Sequence, residues 1–384
     1  MRSGRTVVVL GGGVGGVAAA SRLRQRLRPE DRVVLIDREQ RHVFQASLLW
    51  VATGTRRPEQ IGRVLTRLRA RGVEVVTGEV TELDTGSRRV QVGGTAIEAD
   101  AMIVSLGADL APEVIPGLSA AGHNLYTLEG ATAIREALER FAGGRVVVLT
   151  AAPAYKCPAA PYEAAMLVKA HLRTRGVHGA AVEVWAAEPG PMGTAGPDVS
   201  AAVRAMVEGH GIGYHPEHQI ESVDGPNRVL RFSNGASADF DLLIYVPPHR
   251  CPPVLQQAGL TGASGWIEVD PGTMAAGPPA VFAIGDATGI RIPSGKMLPK
   301  AGVFAHRQAD VVADNLADEW SGRQPERRFD GVGACFIETG GGRGGYGWGD
   351  FYATPAPRMR LHRPSRWGHW GKILFEKRWL RHWR

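Results

Sequence analysis

The sequence predicts an α/β fold made of two similar units that alternate buried strands with helices, followed by a C-terminal region of different composition. Three observations predict it. Thr6–Leu10 is a continuous apolar, β-branched run, and a glycine-rich segment and a helical stretch follow it. Arg145–Leu149 begins a comparable succession of strand, loop and helix. After about residue 328 the chain becomes rich in glycine, and then in arginine and tryptophan.

The bulk composition is that of a globular protein. The chain has 384 residues, of which 44% are apolar and 22% charged, enough for two or three packed lobes. No run of 18 or more apolar residues occurs, so we expect no membrane-spanning helix. The first residues lack a signal-peptide pattern, so we expect the protein to fold in the cytoplasm. Three scattered cysteines predict neither a disulfide scaffold nor a metal site.

The positive charge is concentrated at the end of the chain. The formal net charge is +7, and residues 356–384 contain nine Lys and Arg against one acid, a local charge of +8. Subtracting the two leaves about −1 for the rest of the chain. Because the body has no broad basic face, we expect no nucleic-acid partner.

The first glycine-rich loop predicts dinucleotide binding. Gly11, Gly13 and Gly16 have the spacing that permits a tight turn, the approach of a pyrophosphate and close packing of the next helix. Asp37 ends the next predicted strand, 21 residues after Gly16, where an acid binds a ribose hydroxyl. The strand, the loop, the helix and the acid together predict a Rossmann-like unit.

Two distant segments indicate that the dinucleotide is FAD. Val281–Ala287 resembles the A-x-G-D-A segment of flavoproteins with two dinucleotide-binding domains, in which the acid holds the ribityl chain. Met102–Ala108 resembles their middle strand, which ends at a glycine under the FAD. Lys300, just before a predicted helix, is expected to stabilise negative charge on the reduced flavin. The candidate cofactor-binding residues are Gly11, Gly13, Gly16, Asp37, Gly107, Gly285, Asp286 and Lys300.

The corresponding loop of the second unit predicts that NAD(P)H is not the electron donor. Thr150–Glu163 contains no glycine and has three prolines. Their side chains would crowd a pyrophosphate. The loop instead contains Cys157, where the route of a nicotinamide would have been.

Four segments carry a family resemblance that covers nearly the whole chain. The most specific is Tyr155–Glu163, with a proline after the cysteine, and it is joined by His42–Gln45, Gly333–Glu338 and Gly371–Lys377. On these segments the sequence resembles the sulfide:quinone oxidoreductase and flavocytochrome c sulfide dehydrogenase group. The resemblance implies an FAD-dependent enzyme that oxidises sulfide, or a related small sulfur species, to sulfur or polysulfide.

The same resemblance implies roles for particular side chains. Cys157 and Cys335 are expected to form a disulfide or a sulfur-bridged pair beside the flavin. Hydrosulfide is expected to attack Cys157, and Cys335, the member nearer the flavin, to pass on two electrons. Glu163 lies about where the family has a candidate acid–base. Phe336 and Phe375 are candidate quinone contacts.

Two features depart from the family pattern or have no role in it. Tyr126–Ala131 stands where many quinone-linked members have a C-T-x-x-H-A segment. This argues against covalent flavin attachment through that cysteine and favours the two-cysteine branch of the group. Cys251 has no matching role, and we interpret it as structural.

The C-terminal tail predicts attachment to a membrane surface. Five apolar residues fall near one helical face and alternate with cations, an arrangement that suits the interface of an anionic bilayer. They are Trp370, Ile373, Leu374, Leu380 and Trp383. We therefore expect a peripheral protein on the cytoplasmic side of the inner membrane, with a membrane quinone as acceptor. The alternative is a surface helix that docks on the body or on a second subunit of a homo-oligomer.

These features predict three regions and one leading function. Residues 1–110 and 252–328 are expected to form the FAD-binding domain, 111–251 the second Rossmann-like domain, and 329–384 the C-terminal region. The leading hypothesis is a sulfide:quinone oxidoreductase. The alternatives are a sulfide dehydrogenase that reduces a cytochrome c, a type-II NADH dehydrogenase and a redox-sensing flavoprotein.

Overall fold

The computed structural model describes residues 4–381. The strands are, in chain order, β1 (Thr6–Leu10), β2 (Arg32–Asp37), β3 (Arg41–Val43), β4 (Gly62–Val64), β5 (Glu74–Thr77), β6 (Val80–Asp84), β7 (Arg89–Val92), β8 (Thr95–Glu98), β9 (Ala101–Val104), β10 (Asp109–Leu110), β11 (His123–Asn124), β12 (Arg145–Thr150), β13 (Ala181–Ala186), β14 (Gly213–His215), β15 (Ile220–Asp224), β16 (Val229–Phe232), β17 (Ser237–Asp239), β18 (Leu242–Val246), β19 (His249–Arg250), β20 (Val281–Ala283), β21 (Val332–Gly340), β22 (Arg343–Asp350) and β23 (Arg358–Ser365). The helices are α1 (Val14–Arg26), α2 (Leu48–Ala52), α3 (Pro58–Ile61), α4 (Leu118–Ala121), α5 (Leu128–Arg140), α6 (Ala160–Thr174), α7 (Pro197–Gly209), α8 (Pro253–Gln257), α9 (Gly302–Trp320) and α10 (Arg366–Arg381).

The first parallel sheet has the strand order β20-β9-β1-β2-β5. Val8 pairs in parallel with Val34 on one side and with Met102 on the other. The middle strands are buried because α1 and α9 cover one face and a smaller apolar cluster covers the other. The carboxyl ends of β1, β9 and β20 therefore meet at one edge, which is where ligands bind in sheets of this type.

The second parallel sheet has the order β11-β18-β12-β13-β14. Its central strand β12 pairs with β13 and β18, and its last three residues, Val148, Leu149 and Thr150, are fully buried. The predicted loop and helix follow β12, and the helix, α6, begins at Ala160. Two small antiparallel sheets, β6-β7-β8 and β15-β16-β17, accompany the parallel sheets.

The C-terminal region corrects one prediction. The glycine-rich run Gly340–Gly349 predicts a loop, but Gly340 ends β21, only Gly341 and Gly342 form the turn, and the following residues form β22 between β21 and β23. A Cβ at Gly349 would collide with Met359, and a Cβ at Gly344 would crowd Glu338 and the backbone of α10. The glycines permit close packing of strands and helix, which is why a glycine-rich sequence forms a strand here.

A single apolar core joins the three regions. One cluster of buried side chains includes Val9 of the first sheet, Val148 of the second, Ile337 of β21 and Leu380 of α10. Continuous packing of this kind holds the elements in a fixed relation. Loops from different regions of the chain therefore meet between the two parallel sheets.

Candidate active site

The first glycine loop has the geometry its spacing predicts. Gly11 has a φ of +101°, and a Cβ there would collide with the carbonyl of Ser105. A Cβ at Gly16 would collide with the Gly11 carbonyl, so this glycine permits helix α1 to approach its own loop. Around the position of a Gly13 Cβ there is no heavy atom of the described residues within 4 Å. Gly13 thus borders an open cradle at the amino end of α1, which fits a pyrophosphate.

The acid at the end of β2 lies against this loop. One oxygen of Asp37, Oδ2, accepts a hydrogen bond from the Gly12 N–H. The other, Oδ1, accepts a hydrogen bond of 2.6 Å from the Glu39 N–H. The carboxylate is thereby fixed beside the cradle at the position from which an acid reaches a ribose.

The other candidate cofactor residues lie at the same edge of the sheet. Gly107 follows β9 with a φ of +74°, and no described heavy atom lies within 4 Å of a Cβ built there. Gly285 follows β20 with a φ of +71°, and its N–H donates to Gln308 of α9 over 2.7 Å. Asp286 comes next, and burial raises its pKa although Lys156 and Lys300 lower it. These open, polar surroundings fit a bound flavin nucleotide.

Lys300, in the segment before α9, binds the backbone of the segment that contains Asp286. Its amine donates to the carbonyls of Asp286, over 2.7 Å, and Thr288, over 2.9 Å. It also lies 3.3 Å from the centre of the Trp266 ring, a cation–π contact. Burial lowers the pKa of Lys300 to about 8, and the nearby Asp286 opposes the shift. Its predicted role towards a reduced flavin stays a prediction.

Cys157 lies in a strained loop held from two sides. Its φ of +51° is uncommon for a residue other than glycine. Its N–H donates to the Lys300 carbonyl over 2.7 Å, which connects the second unit to the segment before α9. The Tyr126 hydroxyl donates to the carbonyls of Lys156 and Cys157 over 2.6 and 3.2 Å. The backbone of Cys157 therefore lies beside Lys300, one of the candidate cofactor residues.

The second predicted cysteine belongs to an adjoining strand. Cys335 lies on β21, which packs on α6. Burial raises the pKa of Cys157 above its ordinary value, and the negative charge of Cys335 raises it further. Burial also raises the pKa of Cys335 to about 12; the charge of Glu163 adds to this shift and Lys372 opposes it. Both thiols are free here, and a bridge between them stays a prediction.

Glu163 stands between the two cysteine-bearing elements. It is buried in the first turn of α6, and its Oε2 accepts the N–H of Glu338 on β21 over 2.8 Å. The same oxygen forms a 2.6 Å salt bridge with the buried amine of Lys372 on α10. Glu338 in turn contacts His369, with 2.9 Å between Oε2 and Nδ1. Burial lowers the pKa of Lys372, but the two carboxylates outweigh it and leave that pKa raised.

Sequence reasoning missed Lys372 as a residue of this site. The tail prediction placed its cations, Lys372 among them, at the bilayer surface, whereas Lys372 is only 5% exposed. Its partner Glu163 lies 209 residues away, so local patterns give no sign of the pair. The available signal was the resemblance of Gly371–Lys377 to the family.

The two predicted quinone contacts lie side by side. The ring centres of Phe336 and Phe375 are 6.3 Å apart, and Phe44 lies 5.6 Å beyond Phe375. Phe336 directly follows Cys335, so this aromatic group begins next to the candidate redox pair. A flat, apolar ring would suit this surface, but its role stays a prediction.

The cleft of the second unit is filled by its own side chains. Glu188, shortly after β13, accepts hydrogen bonds from the hydroxyls of Tyr155, Tyr162 and Thr150. An acid after the second strand of such a unit ordinarily binds a ribose. Here the hydroxyls of two tyrosines already bind this acid. The second unit thus lacks a free acid at this position, as well as a glycine-containing loop after β12.

Cys251 lies apart from the pair formed by Cys157 and Cys335. It is 2% exposed, and burial raises its pKa to about 11, although Lys300 lowers it. Its structural interpretation stays a prediction. Among residues 4–381, no group of histidine, cysteine or acidic side chains is arranged to hold a metal ion.

Comparisons with known proteins agree with this geometry. The family model described as pyridine nucleotide-disulphide oxidoreductase matches residues 5–309. The chain is 25% identical to a mitochondrial sulfide:quinone oxidoreductase of Mus musculus over 87% of the chain and 75% of that protein. It is also 25% identical to a sulfide-quinone reductase of Aquifex aeolicus over 97% of the chain and 90% of that protein. The solved sulfide:quinone oxidoreductase of Aquifex aeolicus superposes with a TM-score of 0.88 at 24% identity, covering 99% of this chain and 91% of that one.

Proposed function

We propose that this chain, a member of the pyridine nucleotide-disulphide oxidoreductase family, oxidises sulfide through Cys157 and Cys335 and reduces a membrane quinone. The premise is that it is an FAD-dependent oxidoreductase of the sulfide:quinone oxidoreductase group. The observation that carries the proposal is the hydrogen bond between Glu163 and Glu338. It joins the helix that follows Cys157 to the strand that contains Cys335, and the N–H of Cys157 binds the carbonyl of Lys300, a candidate FAD residue.

In the proposed reaction the two cysteines exchange sulfur bonds. The cycle begins from the oxidised pair, in which the two free thiols have given two electrons and two protons to the quinone and share a disulfide. Hydrosulfide attacks Sγ of Cys157, the disulfide bond breaks, and a persulfide on Cys157 and a thiolate on Cys335 result. The Cys335 thiolate then bonds to the persulfide, which closes a sulfur bridge and releases two electrons and one proton. A bound FAD would supply the acceptor for these two electrons, and the quinone, which takes up two protons, would be the final acceptor.

Glu163 and Lys372 set the charge around this exchange. The cation of Lys372 lowers the pKa of both thiols, so it stabilises the thiolate that the exchange leaves behind. Glu163 has the opposite effect on both thiols. Since its Oε2 already binds Lys372 and the Glu338 N–H, its role as acid–base remains a proposal.

The specificity for sulfide is tested first with the wild-type protein. We expect anaerobic sulfide to bleach the flavin absorbance rapidly and NADH to leave it unchanged, because Tyr155 and Tyr162 occupy Glu188 in the second cleft. Decylubiquinone should then restore the absorbance faster than cytochrome c does. Bleaching by NADH at the rate seen with sulfide would instead favour an NADH dehydrogenase.

The C-terminal helix presents an apolar face outward. Trp367, Trp370 and Leu374 are 85%, 62% and 64% exposed and follow one another at helical spacing. Lys377 and Arg381 continue the same side. A cleft of about 530 Å³ opens beside it, with apolar walls and further cations at its rim. No helix within residues 4–381 is long and apolar enough to cross a bilayer.

This face differs from the predicted one but supports the same proposal. Leu380 packs into the body, and Trp383 lies outside the described residues. What remains exposed combines tryptophan, leucine and cations, as in helices that lie in the surface of an anionic bilayer. We propose that α10 attaches the protein to the membrane and brings Phe375 within reach of quinone.

Vesicle binding tests this surface. We expect Trp370→Ser with Leu374→Ser to weaken binding to phosphatidylglycerol vesicles about tenfold or more, because both side chains lose apolar area in the bilayer. The control is Val114→Ser, which removes an apolar side chain that is 54% exposed but lies far from α10 in sequence. Co-sedimentation gives both affinities, and equal binding of the two proteins would contradict the attachment.

A further inference from the structure

Both polar groups of Gly12 in the phosphate loop are held by side chains. Its N–H donates to Asp37, and its carbonyl accepts a hydrogen bond of 2.9 Å from Nδ1 of His42. His42 lies on β3 and is 3% exposed. The orientation of the peptide between Gly12 and Gly13 therefore depends on this histidine.

A residue of the C-terminal helix decides which nitrogen of His42 bears the proton. Nε1 of Trp379 on α10 is 2.9 Å from Nε2 of His42, and the indole is 6% exposed. An indole N–H can only donate, so Nε2 of His42 must accept. In a neutral imidazole the proton is then on Nδ1, where it points at the Gly12 carbonyl.

The direction of that carbonyl determines where the next N–H points. In a planar trans peptide the C=O and the N–H point in opposite directions. With the Gly12 carbonyl turned to His42, the Gly13 N–H is turned away from it. Gly13 caps α1 and borders the open cradle described above.

We propose that His42 and Trp379 are positioning residues for FAD. The C-terminal helix selects the Nδ1–H tautomer of His42. This tautomer keeps the Gly12–Gly13 peptide in the orientation in which the Gly13 N–H can donate a hydrogen bond to the pyrophosphate. In the other tautomer two lone pairs, on Nδ1 and on the Gly12 oxygen, would face each other, and the peptide would turn away. The proposal rests on FAD binding and not on the sulfide chemistry.

The rate of FAD release tests the proposal. We expect Trp379→Phe, which keeps an aromatic ring but removes the N–H, to release FAD about tenfold faster, the effect of about one lost hydrogen bond. Release from the holoprotein is followed as the gain in flavin fluorescence after dilution. The matched control is Trp367→Phe on the exposed face of α10, which should release FAD at the wild-type rate. A rate for Trp379→Phe within twofold of wild type would overturn the proposal.

A second background separates tautomer selection from packing. In His42→Asn the amide nitrogen can donate to Gly12 whether or not Trp379 is present. We therefore expect Trp379→Phe to have no further effect on FAD release in that background. An equal acceleration in both backgrounds would show that the indole acts by packing, and would overturn the proposal.

The tautomer itself is measurable in the wild-type protein. In protein labelled with nitrogen-15 at histidine, with His42 identified by its loss in His42→Asn, we expect the proton of His42 on Nδ1 in the wild-type protein. A proton on Nε2 would refute the inference irrespective of the release rates.

Discussion

Sulfide should leave the flavin oxidised in both Cys157→Ser and Cys335→Ser. We expect anaerobic bleaching to slow by at least about a thousandfold in each, because a hydroxyl neither forms the exchangeable bond nor leaves as a thiolate does. Stopped-flow absorbance of the flavin gives the rate. The two effects should not add in the double variant, since the cysteines act as one unit.

A matched control comes from the third cysteine. Cys251→Ala removes a buried thiol outside the proposed exchange and should bleach at close to the wild-type rate. Comparable FAD content in all variants, read from the absorbance before sulfide is added, excludes loss of cofactor as the cause. If either serine variant bleaches as fast as wild type, the two-cysteine mechanism is wrong.

Replacing Lys372 by methionine should destabilise the protein by about 3–5 kcal/mol, because Glu163 would stay buried without its cation. The same change removes the charge that lowers the pKa of both thiols, so sulfide should also react more slowly. Urea-induced unfolding of the FAD-bound protein measures the first effect, and flavin bleaching measures the second.

Two further variants show whether the ion pair is the cause. Lys377→Met alters an exposed lysine of the same helix and should change the unfolding free energy by less than about 0.5 kcal/mol. Glu163→Gln combined with Lys372→Met removes both charges and should recover most of the stability that Lys372→Met loses. A Lys372→Met protein as stable as Lys377→Met would contradict the importance assigned to this salt bridge.

Local patterns predicted much of the fold. Strand β1 has the predicted bounds Thr6–Leu10, and helix α9 (Gly302–Trp320) begins just after Lys300, where a helix is predicted. Both depend on signals within a few residues, namely a buried apolar run and helical periodicity. The conformations of Gly11 and Gly16 also followed from their spacing, because backbone contacts at those positions permit no side chain.

What local patterns did not reveal depends on contacts between distant residues. Strand β22 looked like a loop because its glycines are explained only by Met359 and α10, which pack on it. The apolar side of α10 was only partly identified, since the ion pairs on its inner side involve Glu163 and Arg56. The tyrosines around Glu188 likewise meet only in the folded chain.

The C-terminal helix buries Lys372 and Trp379 and exposes Trp367, Trp370 and Leu374, which has a practical consequence. Deleting it to obtain a protein free of lipid would also delete Lys372 and Trp379, and with them the counter-ion of Glu163 and the contact to His42. A detergent-free preparation is better obtained by exchanging the outward residues Trp367, Trp370 and Leu374 for polar ones. We expect that chain to keep the contacts of Lys372 and Trp379 and to lose the bilayer affinity proposed for α10.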